Sequence, residues 1–105
     1  MPNALVIRPR AQTDVDAEAA YYHTTDSLLT ATRFLEDLRH VFERLVQFPH
    51  LGTFWPTGNR ELIGLRRRPL PHFPYSVFYL PTEGAVEIVR VLHNSRDLPA
   101  LLEDL

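Results

Sequence analysis

Apolar residues recur at spacings of three and four in the first half of the chain, which predicts an αα-hairpin. The longer helix is indicated between Asp26 and Pro49, with polar side chains on its other side. A shorter helix precedes it and begins at a capping-box pattern, Thr13–Asp16. The apolar positions of the longer helix are Leu28, Ala31, Leu35, Leu38, Phe42 and Leu45, with Phe34, Val41 and Phe48 beside them.

The rest of the chain carries β-type patterns, separated by residues typical of turns. Two runs are apolar on both faces, which indicates central strands joined by a short antiparallel turn. Residues 49–60 are rich in Pro, Gly and Asn and are predicted to form a loop, and a short helix is predicted from Asp97. The predicted strands are Ala4–Arg8, Glu61–Arg68, Tyr75–Leu80 and Ala85–His93.

The element order is therefore β-α-α-β-β-β-α, which predicts an α+β fold with a small antiparallel sheet packed against the αα-hairpin. A length of 105 residues fits one domain over residues 1–105. The net charge of −2 gives no general attraction to nucleic acid or anionic lipid. With no signal peptide or membrane span recognised, we expect a soluble protein of the cytoplasm that does not bind a membrane.

Residue types and spacings exclude several classes of chemistry. The chain has no Cys, which excludes disulfides and thiol catalysis, and all 11 basic residues are Arg, which excludes a lysine amine. The five His show no metal-ligand spacing and the four Gly are isolated. We therefore predict no metal site and no cofactor.

Basic side chains and one His cluster on the predicted strands. Arg66 and Arg68 share a strand face, with Arg67 pointing away from them, while Arg90 lies on the last strand and His93 and Arg96 follow it. Arg suits phosphate or carboxylate and His can pass a proton, which is nearly all that a metal-free ribonuclease needs. A solvated strand edge and ion pairs with the acidic helices remain equally open.

Several motifs, in their order and spacing, resemble the RelE/ParE superfamily of toxins from type II toxin–antitoxin modules, often labelled plasmid stabilisation proteins. The resemblance extends from Leu5 to about Leu102 and rests on Phe48-Pro49-x-x-Gly52, Leu65-Arg66, Pro74-Tyr75-x-Val77-x-Tyr79 and Val91-x-His93-x-x-Arg96-Asp97. It implies a hetero-oligomer with a cognate antitoxin, whose C-terminal segment wraps over the helices and sheet. RelE-like members cut mRNA in the ribosome, whereas ParE-like members act on DNA gyrase.

The resemblance favours the ParE-like branch. The nuclease branch has an Arg near the position of Tyr75, and some members have a Tyr near Leu102, although Arg96 does match. It implies a gyrase-binding toxin that is not an enzyme. The expected target-binding residues are Arg66, Arg68, Arg90, His93 and Arg96, and the expected antitoxin anchors are Tyr21, Tyr22 and Phe34.

Two alternatives stay open. The first is a ribosome-dependent, metal-independent mRNA endonuclease that uses His93, Arg96 and Arg68. The second is an inactive remnant that only binds the antitoxin.

Overall fold

A five-stranded sheet is covered by two long helices on one face and by a short helix on the other. The structure is a computed structural model that describes residues 3–103. The strands are β1 (Ala4–Ile7), β2 (Thr53–Phe54), β3 (Arg66–Pro69), β4 (Tyr75–Thr82) and β5 (Ala85–His93), and the helices are α1 (Pro9–Thr25), α2 (Leu28–Gln47) and α3 (Leu98–Glu103). The α+β class and the αα-hairpin are confirmed.

The sheet is mixed, whereas the sequence indicated an antiparallel one. Its strand order is β1-β5-β4-β3-β2, and β1 pairs parallel to β5 while every other pair is antiparallel. The parallel pair requires a crossover, and the αα-hairpin is part of that long connection. Both β1 and β2 lie at sheet edges, with one side of each backbone unpaired in the sheet.

The start of α1 was predicted wrongly. The helix begins at Pro9, with Arg8 as an extended residue before it, because Pro suits the first helical position. The hydroxyl of Thr13 donates to the Pro9 carbonyl at 3.0 Å instead of capping a helix. For α2 the polar cluster Thr24–Ser27 predicts a cap at the start of the helix. This is confirmed, since Ser27 Oγ accepts from the Thr30 N–H at 3.1 Å.

The strand predicted over Glu61–Arg68 is mostly not a strand. Residues Arg60–Leu62 form a 3-10 turn, and Gly64 adopts a φ of 90°, which ends any extended run before β3. The loop expected over residues 49–60 contains the short strand β2, which pairs with β3. One register shift, between Phe78 and Tyr79, marks an irregularity in the β4–β5 pairing.

The core has two parts, one on each face of the sheet. The first packs the helices against β4 and β5 and includes Phe34, Leu38, Tyr75 and Tyr79. Tyr75 and Tyr79 share one face of a predicted strand, which favours core roles for both over catalytic ones, and this prediction is confirmed. The second lies under α3 and contains Leu98 and Leu102. The leucine spacing in the last helix also predicts Leu105 on the apolar face that contains Leu98 and Leu102, but Leu105 lies outside the described residues.

The apolar face predicted for α2 is wider than the face it buries. Leu28 and Leu35 are 66% and 44% exposed, so they lie outside the core. Asp37, predicted on the polar side, is instead buried, because His72 approaches it from the β3–β4 connection. These departures leave apolar surface open on one side of α2 and a fixed carboxylate on the other.

Candidate functional site: a strand-end corner and an apolar groove

Polar side chains meet where β4 begins and β5 ends, at a place we call the strand-end corner. It consists of Trp55, Arg67, Ser76, His93, Asn94, Ser95 and Arg96. Arg67 Nε donates to Ser76 Oγ at 2.9 Å and Nη2 donates to Asn94 Oδ1 at 3.2 Å. Its guanidinium lies 5.4 Å from the centre of the Trp55 ring. The corner therefore holds one cation in a fixed position.

Arg67 was missing from the predicted site. The sequence placed it on the face away from Arg66 and Arg68, which is correct. However, that outer face is the one that reaches Asn94, through Ser76. The alternation of side chains along β3 shows that Arg67 points away from Arg66 and Arg68. It does not show which face of β3 lies beside the end of β5, so the sequence could not place Arg67 near Asn94.

Arg66 and Arg68 lie on the helix-facing side of the sheet, opposite to the face on which Arg67 reaches Ser76 and Asn94. Arg66 Nη1 donates to the carbonyls of Gly52 at 2.7 Å and His50 at 3.3 Å, which fixes the turn after α2. Arg68 lines a cleft with His40 and Arg44 between α2 and the end of β3. Within residues 3–103, no hydrogen bond or ion pair joins either arginine to His93 or Arg96, so their shared role in target binding stays a prediction.

Arg90 is also removed from the accessible site, because it is buried in an ion pair. Its Nε and Nη2 donate to the carboxylate of Asp14 on α1 at 2.7 and 2.9 Å. The same carboxylate accepts from the backbone N–H of Val91 at 3.0 Å. The Arg90 side chain is 8% exposed, so it attaches α1 to β5 and does not present its charge to a partner.

His93 is half-buried, and local contacts fix the tautomer of its neutral ring. The backbone N–H of Ser95 donates to His93 Nδ1 at 3.0 Å, and Ser95 Oγ lies 2.7 Å from the same nitrogen. A backbone N–H can only donate, so Nδ1 is an acceptor and the neutral ring carries its proton on Nε2. The ring packs edge-on against Tyr75, at 5.0 Å between centroids. Neutral His93 therefore presents a donor.

Arg96 lies just beyond His93, at the exposed end of the corner. Its backbone N–H donates to the His93 carbonyl at 3.1 Å, which forms a tight turn before α3. Within residues 3–103, no ion pair engages its guanidinium. The corner therefore combines a fixed Arg67 with a free Arg96.

Burial raises the pKa of the phenol of Tyr75, and a hydrogen bond to Glu18 raises that pKa further. Burial also raises the pKa of the Tyr79 hydroxyl, although the Gly52 N–H, Arg66 and Arg68 act in the opposite direction. Both phenols stay protonated at neutral pH. Neither is placed to serve as a base beside the corner.

An apolar groove of about 620 Å³ lies between the edge strand β1 and the helices. We call it the β1–α2 groove, and it is lined by Leu5, Val15, Leu35, Leu38, Arg39, Phe42, Glu43, Val46 and Gln47. Leu5 and Leu35 are 41% and 44% exposed. Exposed apolar side chains beside an unpaired strand edge are typical of a protein-binding surface.

The three predicted antitoxin anchors differ in how far their side chains are exposed. Phe34 is fully buried, which corrects its role as an anchor. Tyr22 is half-buried in an aromatic cluster with Phe34, Phe73 and Tyr75. Tyr21 is 54% exposed and remains accessible.

Two further findings concern the part of the chain that the structure describes. In it, no three His, Asp or Glu side chains are grouped so that they could hold a metal ion. None of the described helices combines the length and the apolar character that crossing a membrane requires.

A family described as "ParE toxin of type II toxin-antitoxin system, parDE" matches residues 5–98. The chain belongs to the ParE toxin family. This confirms the RelE/ParE resemblance and, within it, the ParE-like branch. As a member of the ParE family, the chain is a toxin of a type II toxin–antitoxin system.

The fold agrees with that of a solved chain of the "Chromosomal ParDE TA system from P. aeruginosa". The TM-score is 0.72 at 21% sequence identity, and the match covers 87% of this chain and 95% of the other. No curated protein sequence matches significantly. At this identity the structural match establishes the ParE fold, and the strand-end corner must be interpreted from its own geometry.

Proposed function

We propose that this ParE-family toxin acts in the cytoplasm by binding DNA gyrase, without catalysis, and that a cognate antitoxin neutralises it. The observation that carries the choice of binding over catalysis is the state of His93. Its Nδ1 accepts from the Ser95 N–H, so in the neutral ring Nε2 already holds the proton. A ribonuclease must remove the proton of a 2′-hydroxyl, and neutral His93 has no free lone pair with which to do so.

The residues around the corner support the same conclusion. Tyr75 is buried with a raised pKa, and Leu102 is buried under the sheet, so neither supplies an acid beside Arg96. Arg66 and Arg68 act on the other side of the sheet, which leaves Arg67 and Arg96 as the cations of the corner. Fixed and exposed guanidiniums suit recognition of carboxylates on a protein.

The proposal is tested by inducing the toxin without antitoxin in bacteria and following DNA and protein synthesis over the first minutes. Arrest of DNA synthesis first, followed by inhibition of purified gyrase in a supercoiling assay, would support the proposal. Arrest of protein synthesis first would instead identify the mRNA endonuclease. Arrest of neither would identify an inactive remnant.

Two variants locate the toxic surface. Arg96→Ala should remove toxicity while the protein still binds its antitoxin, because the Arg96 side chain has no ion pair within the described residues. Arg60→Ala is the matched control, since Arg60 is also exposed but lies in the turn before β3. Toxicity that survives Arg96→Ala would show that the corner is not the target-binding surface.

We further propose that the antitoxin binds in the β1–α2 groove. A helix with an apolar face fits a groove of this kind, and the open edge of β1 can pair with an added strand. Leu35→Glu places a charge among the lining residues and should abolish co-purification of the cognate antitoxin. Leu29→Glu is the control, because Leu29 is 58% exposed on the same helix but does not line the groove. Equal loss with both variants would contradict this location.

A further inference from the structure

A polar stripe runs along α2 on the side away from the β1–α2 groove. Arg33, Asp37, His40 and Arg44 are spaced by four, three and four residues, which places them on one helical face. This face borders two clefts, and the end of β3 together with the start of its connection to β4, residues 68–73, forms the opposite wall.

The two clefts adjoin. One of about 460 Å³ is lined by Thr30, Arg33, Glu36, Asp37, His40, His72 and Phe73. The other, of about 430 Å³, is lined by His40, Val41, Arg44, Arg68, Pro69, Leu70 and Pro71. His40 lines both, so the two clefts are neighbours along α2, and together we call them the α2 channel.

The α2 channel contains more unpaired cations than anions. No ion pair within residues 3–103 engages Arg33, Arg44 or Arg68. The sequence places Asp37 four residues after Arg33, a spacing that favours an ion pair, but the Asp37 carboxylate binds His72 and no ion pair joins it to Arg33. Glu36 is the one lining carboxylate left unpaired there. The channel is therefore locally positive in a chain whose net charge is −2.

The Asp37–His72 contact makes one wall of the channel rigid. His72 donates from its backbone N–H to Asp37 Oδ2 at 3.0 Å, and its Nδ1 lies 2.8 Å from Oδ1. A carboxylate buried to 6% exposure holds an imidazole that is 77% exposed. Since the ionised carboxylate only accepts, Nδ1 carries the proton and Nε2 faces away from Asp37.

We propose that the α2 channel binds an extended acidic segment of a protein partner, with carboxylates four residues apart on one face. The rise from Arg33 to Arg44 is about 16 Å and an extended peptide advances about 3.3 Å per residue, so four residues span about 13 Å and the long Arg side chains cover the difference. The spacing must be even because side chains of an extended peptide alternate between its two faces. The Val41, Leu70 and Pro71 side chains supply apolar lining between the charges. Arg forks then bind the carboxylates at each end.

A peptide fits the channel better than single-stranded nucleic acid does. Glu36 and Asp37 would repel a continuous row of phosphates. Phe73 is the one Phe, Tyr or Trp among the residues that line the channel, whereas single-strand binding stacks successive bases on several aromatic rings.

The test is a titration of the whole chain, followed by amide NMR shifts, with the peptide Glu-Ser-Leu-Ser-Glu. Shifts are expected at the residues that line the α2 channel, and the same peptide with Gln in place of both Glu should give none. Arg33→Glu combined with Arg44→Glu should weaken binding at least about tenfold, because two charge pairs are reversed. Arg10→Glu with Arg60→Glu is the control of equal charge change on exposed sites elsewhere.

Three results would overturn the proposal. One is the absence of shifts at millimolar peptide, and another is equal weakening by the two double variants. The third is tighter binding of a ten-nucleotide uridine oligomer at the same residues, which would identify the channel as a nucleic-acid surface. Each variant must first give a native-like amide spectrum, so that lost binding cannot be attributed to unfolding.

Discussion

Replacing Asp14 by Ala should destabilise the protein more than its partly exposed position suggests. The Asp14 carboxylate accepts from Arg90 Nε, Arg90 Nη2 and the Val91 N–H, at 2.7, 2.9 and 3.0 Å. The two side chains are 14% and 8% exposed, so removing the carboxylate leaves a buried guanidinium without its counter-charge. Within residues 3–103 Arg90 Nη1 has no hydrogen-bond partner, so the Asp14 carboxylate is the group that compensates the buried guanidinium.

We expect the Asp14→Ala substitution to lower the free energy of unfolding by about 3–5 kcal/mol, the range for breaking a buried ion pair. For a domain of this size each kcal/mol moves the midpoint of thermal unfolding by roughly 4–8 °C, so the midpoint should fall by at least about 12 °C. Asp16→Ala is the control, because its carboxylate is exposed and accepts only from Gln12, so the loss should stay below about 0.5 kcal/mol.

A second substitution separates the charge from the packing. Asp14→Ala combined with Arg90→Met removes the buried charge and leaves only the Val91 N–H without its acceptor, which costs about 1–3 kcal/mol. Urea unfolding followed by circular dichroism measures both variants. The reasoning is refuted if the double variant is no more stable than Asp14→Ala, or if Asp14→Ala costs less than about 1 kcal/mol.

Three further predictions follow from local contacts. Gly52→Ala should destabilise by at least about 1–3 kcal/mol in urea unfolding, because its Cβ would lie 2.7 Å from the Tyr79 ring and 2.9 Å from the Arg67 carbonyl; an unchanged midpoint would contradict this. Burial raises the pKa of Tyr75 and of Tyr79, so above about pH 10 the unfolded chain loses these phenol protons before the folded protein does. The free energy of unfolding therefore falls as the pH rises, by up to about 1.4 kcal/mol per pH unit for each tyrosine. Stability that is constant from pH 9 to 11.5 would show that this shift is absent, and with no Lys in the chain few other groups titrate there. Ser27→Ala should cost about 1 kcal/mol through the lost cap of α2, and Thr24→Ala, which removes a hydroxyl at the exposed end of α1, should cost less.

Elements whose pattern is local were predicted well. The spacing along α2 and the β-branched run of β5 each lie within one segment, and the structure has β5 at the predicted bounds, Ala85–His93. The start of α1 failed because two local signals competed. Pro9 is as favourable in a first helical turn as Thr13 is at a helix cap. The strand that precedes Pro9 determines where the chain enters the helix.

The site was harder to predict because its contacts join distant positions. Asp14 and Arg90 are 76 residues apart, and Asp37 and His72 are 35 apart, so no spacing pattern connects them. The same holds for Arg67 and Asn94, separated by 27 positions. Strand alternation gives which residues share a face, but only the packing of the helices determines which face is covered.

The parallel pairing of β1 with β5 has a consequence for synthesis on the ribosome. Ala4 pairs with Ala85, so the first strand waits for a partner that is translated 81 residues later. At about 5–20 residues per second, the nascent chain spends roughly 4–16 s with the apolar side chains of β1 unpaired. The strand-end corner forms only after β5 has emerged. We therefore expect the growing polypeptide to be harmless until translation is nearly complete, and a chaperone or antitoxin to meet it first through the αα-hairpin.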